Sequence, residues 1–120
     1  MPEYFIGTDI VAVSRIQNII YKHSDRFKKH TFTENEKKYC DLKPNPAIHY
    51  AGRFAAKESI IKAVKSSGYK NPIPFKDIEI LPSETGAPIV DLHFVIKCDC
   101  KVSISHTESH ATASALCIQK

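Results

Sequence analysis

The sequence has no tryptophan, one methionine and only four glycines in 120 residues. So few glycines leave no room for a glycine-rich phosphate loop. Neither the Gly-x-x-x-x-Gly-Lys-Ser/Thr pattern nor the dinucleotide glycine fingerprint occurs. There is no Gly-x-Ser-x-Gly nucleophile elbow. No apolar run approaches the roughly 20 residues that a membrane-spanning helix needs. No basic segment precedes an apolar stretch at the N-terminus, so no secretory leader is expected. The four cysteines, at 40, 98, 100 and 117, do not form a zinc pattern: Cys98-Asp99-Cys100 is too tight and has no second close pair. Free thiols in a reducing cytoplasm are the expectation.

The charge balance is equally plain. Seventeen Lys and Arg against 13 Asp and Glu give a net charge of +4. This mild excess suits an acidic or phosphate-bearing partner and falls short of a nucleic-acid signature. With 42% apolar residues, the chain has the composition of an ordinary globular protein, and its length points to one domain over 1–120.

Residues 4–13 are aromatic and β-branched and predict a strand. Ile16, Ile19 and Ile20 recur at helical spacing over 14–22, with Ser14 as the expected N-cap. Thr33-Glu34-Asn35-Glu36 is a capping box that opens a short helix to about Leu42. Asn45-Pro46 then opens the longest helix, 46–67, ending near Gly68. Its apolar face takes in Ala47, Tyr50, Ala51, Phe54, Ile61 and Val64. The second half turns to a period of two: Ile78 and Ile80, then Val90, Leu92, Phe94 and Ile96, then Val102 and Ile104. A turn near 108–110 and a last strand over 111–118 follow. Helices followed by several strands indicate an α+β fold with an antiparallel sheet packed against a long central helix.

Three groups of residues can carry chemistry. Asp9 shares a strand face with Phe5, Gly7, Val11 and Val13, and a carboxylate among apolar residues needs a cationic partner or a metal. A position at a sheet edge beside water or an Arg would also satisfy it. On the long helix Phe54, Glu58 and Lys62 stand four apart, with Arg53 and Lys57 in an adjacent basic row. A solvated Glu58–Lys62 ion pair is the plainer alternative there. Ser103-Ile104-Ser105-His106-Thr107 brings a histidine and small hydroxyls to a strand end, where they suit either structure or a phosphate. Two carboxylates with scattered basic groups match Mg²⁺, which takes one or two carboxylates together with substrate phosphates and water.

Taken in order, these blocks resemble the holo-acyl-carrier-protein synthase family of the phosphopantetheinyl transferase superfamily. The matching segments are Gly7-Thr8-Asp9-Ile10-Val11 with Arg15-Ile16, Phe32-Thr33 with Glu36, Gly52-Arg53-Phe54-Ala55-Ala56-Lys57-Glu58 with Lys62-Ala63, Phe75 to Ile80, Gly86-Ala87-Pro88, and Ser103 to Thr107. The resemblance implies transfer of the 4′-phosphopantetheine of coenzyme A to a serine of an apo-acyl carrier protein in fatty acid biosynthesis, releasing 3′,5′-ADP. It implies Mg²⁺ held by Asp9 and Glu58, catalysis by Glu58, Asp9 and Lys62, and coenzyme A contacts from Arg53, Lys57, Lys62, Pro88, His106 and Thr107. Arg15 and Arg26 match the region that docks the acidic helix of the carrier, and the family is commonly trimeric with sites between subunits. Alternatives within the resemblance are a transferase for a dedicated secondary-metabolite carrier and a non-catalytic module that binds coenzyme A or a carrier. The chain departs from the family at Lys65-Ser66-Ser67-Gly68, where a Gly-Thr-Gly turn is usual, at Ser59, and in the short Lys43-Pro44-Asn45-Pro46 stretch.

Overall fold

The computed structural model describes residues 2–120. Strand β1 (Tyr4–Ala12) leads into helix α1 (Val13–Thr31), followed by α2 (Glu34–Asp41) and α3 (Pro46–Ser66). A short 3₁₀ turn, Phe75–Asp77, precedes β2 (Ile78–Pro82), β3 (Pro88–Leu92), β4 (Cys98–His106) and β5 (His110–Gln119). The fold is α+β, as expected, and every strand pairing is antiparallel. The strands form two sheets, however, rather than one: β1-β5-β4 and a separate β2-β3 pair.

Helix α3 is the centre. Val64, Ile60, Ala56, Ala55, Ala51 and Tyr50 are all fully buried, and so are residues on its other sides, so it is covered nearly all round. Small side chains let the three-stranded sheet approach it closely. Ala111, Ala113 and Ala115 of β5 are buried on the inner face, and Gly7 of β1 lies directly on the helix. A Cβ at Gly7 would lie 2.1 Å from the Ser59 carbonyl oxygen and 2.8 Å from the Ala63 nitrogen, which leaves room for no side chain. Gly52 plays the matching part on the helix, where a Cβ would come within 3.1 Å of Ile104 on β4.

The capping box forms as predicted. The Glu36 backbone N–H donates to the Thr33 hydroxyl, and the Thr33 N–H donates to Glu36 Oε1 at 2.9 Å. Glu36 does more than cap. It is fully buried, accepts from the Ile80 N–H at 2.8 Å on Oε2, and pairs with the fully buried Lys57 at 2.6 Å on Oε1. Lys57 also donates to the carbonyls of Thr31 and Phe75, so all three of its protons are taken. Burial pushes its pKa down, while Glu36 pulls in the opposite direction.

Four details differ from the sequence reading. The helix predicted over 14–22 is the first segment of α1; it breaks at His23 (φ −141°, ψ 40°) and continues to Thr31. Ala12, not Ser14, occupies the N-cap, and no side chain caps that end. Strand β3 ends at Leu92, although the alternation runs on to Ile96. Ile78 is the first residue of β2 and pairs with Leu92, so the ladder has no partner beyond that point, and the His93 N–H closes onto the Asp77 carbonyl instead. Finally, Cys100 and Cys117 are not free. They stand opposite each other in the β4–β5 register, with Cα atoms 4.3 Å apart, and are joined as a disulfide. A separation of 17 residues conceals that contact in the sequence, because only the strand register creates it. Cys40 and Cys98 are free and buried, and burial pushes the Cys40 thiol up to about 12.

Candidate active site

Strand β1 and helix α3 run in opposite directions where they cross. Gly7 rests on Ser59 and Ala63, while Arg15, just past the strand, sets its guanidinium 5.9 Å from the centre of the Phe54 ring. Asp9 lies between these fixed points, two residues beyond Gly7 on the same face, which brings it level with the helix turn that carries Glu58 and Lys62. Lys62 reaches the strand from this turn: its Nζ is 2.8 Å from the Thr8 carbonyl oxygen and 3.2 Å from Asp9 Oδ1. Lys62 thus pairs with the strand carboxylate and not with Glu58, its neighbour along the helix.

The Asp9 side chain is only 19% exposed, and its second oxygen has no partner among the described residues. Glu58 is half-buried and forms no hydrogen bond or ion pair among them. Two partly buried carboxylates, three of whose four oxygens have no partner among the described residues, suit a hard cation that would complete its shell with phosphate oxygens and water. These residues fit Mg²⁺. Another group of possible ligands, Glu79, Asp91 and His93, lies on the two-stranded sheet, where Glu79 and Asp91 face each other across β2 and β3. Glu79 is already engaged there by Thr33.

Arg53 and His106 come together at a second locus. Arg53 is buried, its guanidinium carbon is 4.2 Å from the centre of the Tyr39 ring, and its Nε has no hydrogen-bond partner. Lys43 Nζ lies 4.7 Å from the same ring. The exposed His106, at the end of β4, packs edge-on against His49 of α3, with ring centroids 5.9 Å apart. Lys43, His49, Arg53 and His106 form no ion pair among the described residues. Burial, and then the neighbouring charges of Arg53, Lys43 and His106, lower the pKa of His49. Basic side chains gathered without a carboxylate are suited to an anion such as phosphate.

The remaining expected residues are spread around these two loci. The Thr107 hydroxyl accepts from the N–H groups of Ser109 and His110, so it shapes the β4–β5 turn. Pro88 opens β3 on the two-stranded sheet, opposite Pro82. Lys57, for all its place in the basic row, points inward and keeps no donor for a ligand. Arg15 and Arg26 are exposed on α1. Arg26 borders a groove with Lys29, His30 and the Pro72–Lys76 segment, which adds Lys29 and Lys76 to the basic surface. Sequence reasoning missed His49 and Lys43. The available signal for His49 was its spacing of four from Arg53, which places both on one side of α3.

A strand carboxylate and a helix carboxylate together with a cluster of basic groups, on a small α+β frame, suit a phosphate-handling protein. The comparisons make this specific: residues 5–116 match the model of the 4′-phosphopantetheinyl transferase superfamily, and the chain belongs to that family. It is 40% identical over 116 residues to the holo-[acyl-carrier-protein] synthase of Protochlamydia amoebophila, covering 92% of this chain and 94% of that protein. Among solved structures, it superposes with a TM-score of 0.82 on a holo-(acyl-carrier-protein) synthase from Bacillus anthracis in complex with CoA (3′,5′-ADP), at 31% identity and covering 97% and 96% of the two chains. It also superposes on the Chronobacterium ammoniagenes ACPS-CoA complex with a TM-score of 0.84, at 25% identity and 98% coverage of both.

Proposed function

We propose that this chain is a holo-acyl-carrier-protein synthase, which transfers 4′-phosphopantetheine from coenzyme A to a serine of an apo-acyl carrier protein in fatty acid biosynthesis. The observation that carries the reading is the contact of Lys62 with Asp9, one helix turn from Glu58, beside the packing of Gly7 on α3, in a chain of this family. Asp9 and Glu58 are the residues to hold Mg²⁺, which when bound neutralises charge on the coenzyme A pyrophosphate. Lys62 is half-exposed and can turn from Asp9 toward the same phosphates. Arg53 and His106 supply hydrogen-bond donors to the phosphates at the other locus. Pro88 and Thr107 line the pocket, and Lys57 supports it from within.

In the transfer, the serine oxygen of the carrier forms a bond to the β-phosphorus. The bond from that phosphorus to the leaving oxygen breaks, and 3′,5′-ADP departs with the electron pair. Glu58 is the proposed base: a carboxylate oxygen not taken up by the metal would accept the serine proton, directly or through a water. Arg15 and Arg26 present the basic surface of α1 to the acidic helix of the carrier. Such contacts raise the association rate and select the partner.

A homotrimer is part of the proposal. The outer face of the three-stranded sheet exposes Tyr4, Ile6 and Ile10 at 62%, 70% and 67%, an apolar patch suited to burial against further copies. The proposed compartment is the cytoplasm. The unpaired Cys40 and Cys98 support it, and the Cys100–Cys117 disulfide does not. No helix among the described residues is long and apolar enough to cross a membrane.

The test is incubation of the protein with coenzyme A, Mg²⁺ and apo-acyl carrier protein, read by mass spectrometry of the carrier. The expected result is a carrier heavier by one phosphopantetheine, with release of 3′,5′-ADP. An unmodified carrier across several bacterial carriers sinks the reading.

A further inference from the structure

His49 stands at the meeting point of three elements. Its ring lies edge-on to Tyr39 of α2 and edge-on to His106 of β4, with both centroids 5.9 Å away and interplanar angles of 83° and 69°. His106 is exposed at a strand end, and its imidazole forms no hydrogen bond among the described residues. A side chain placed there has several rotamers open to it. The His49 ring is the surface that His106 rests on, and Tyr39 backs His49 in turn. One turn along α3 from His49, the buried Arg53 leaves its Nε without a partner, beside the half-buried Lys43.

We infer that His49 is a positioning residue. Its ring holds His106 in the orientation in which His106 and Arg53 together grip a phosphate group of the nucleotide donor. The inference rests on the coenzyme A reading above. The basic groups of this corner form no ion pair among the described residues, and a phosphate would supply one. His49 serves through its shape rather than its charge. Arg53, Lys43 and His106 are the charged or titratable groups that influence it. All of them disfavour its protonation, as does its burial, so it works as a neutral aromatic ring. An edge-to-face contact of this kind favours one ring geometry over the alternatives.

The measurement is isothermal titration of 3′,5′-ADP and of coenzyme A into the wild type, His49→Ala and His49→Phe, with steady-state kinetics and melting temperatures alongside. His49→Ala should weaken 3′,5′-ADP binding by about fivefold to tenfold. It should raise KM for coenzyme A to a similar extent and leave kcat and KM for the carrier within about twofold. His49→Phe keeps the ring, so it should restore affinity to within about twofold of wild type. The His106 ring resonances should shift in His49→Ala and much less in His49→Phe. Wild-type affinity in His49→Ala overturns the inference. So does His49→Phe binding as weakly as His49→Ala, which would make a ring nitrogen the contact. A wild type that binds neither coenzyme A nor 3′,5′-ADP refutes the donor reading itself, whereas normal wild-type binding with an inert His49→Ala refutes only the role of His49.

Discussion

Lys62 reaches across from α3 to Asp9 on β1, with its Nζ 3.2 Å from Oδ1, and bypasses Glu58, the carboxylate one turn away on its own helix. The ammonium group therefore holds the strand carboxylate in place and leaves the helix carboxylate free. Asp9→Asn and Glu58→Gln should each lower turnover by about a hundredfold or more, the scale on which disturbed metal sites lose activity. Neither change should move the melting temperature appreciably, since both sites are partly exposed. Near-normal turnover in Asp9→Asn would remove it from the site.

Gly7 fixes the level of that contact. A methyl group there meets the backbone of α3, at Ser59 and Ala63, and helix backbone cannot step aside as a flexible side chain can. Gly7→Ala should destabilise the chain by about 3 kcal/mol, at the upper end of ordinary overpacking. A urea unfolding curve gives the answer. A midpoint equal to that of the wild type would show that the strand and helix are less tightly apposed than described.

Lys57→Met removes one half of a buried ion pair and leaves the Glu36 carboxylate and two backbone carbonyls facing an apolar chain. The expected loss is about 3–5 kcal/mol, measured by the same unfolding curve. If the stability of Lys57→Met is unchanged and coenzyme A affinity drops instead, Lys57 faces the ligand after all.

His49 makes stability depend on pH. Its folded pKa is depressed below the unfolded value, so its contribution is fully present above the unfolded pKa of about 6.5 and is lost as pH falls through the folded pKa. Over that interval the unfolded chain binds a proton that the folded chain resists. The difference in melting temperature between wild type and His49→Phe should therefore change as pH falls from 7 to 5, with wild type losing more. Parallel curves for the two proteins would show that His49 titrates as it does in the unfolded chain.

Arg26→Glu should raise KM for the carrier severalfold and flatten its salt dependence, with KM for coenzyme A unchanged. Arg26 is exposed and forms no ion pair among the described residues, so the reversal disturbs little else. An unaltered carrier KM would take Arg26 out of the docking surface.

The sequence carried the fold through its local signals. The capping box at Thr33, Pro46 opening α3, and the alternation from Ile78 onward each report chemistry confined to a few residues, and each appears in the structure. What stayed hidden depends on register or on three-dimensional neighbours. The end of β3 follows from where its partner begins, and the Cys100–Cys117 pairing follows from the β4–β5 register. Lys57 reads like its basic neighbour Arg53, and only the surrounding packing shows that it points inward. His49 gives no signal beyond its spacing, because its partner His106 lies 57 positions away.

The inward turn of Lys57 has a mechanical consequence. Its ammonium donates to the carbonyl of Thr31, the last residue of α1, while Glu58, the next residue on α3, is one of the carboxylates proposed to hold the metal. The end of the helix proposed to receive the carrier is thus clamped to the residue adjoining the proposed base. A displacement of the last turn of α1, beyond the break at His23, would reach the turn of α3 that carries Glu58 through this hydrogen bond. The lysine that ties the two helices together keeps no donor for either substrate.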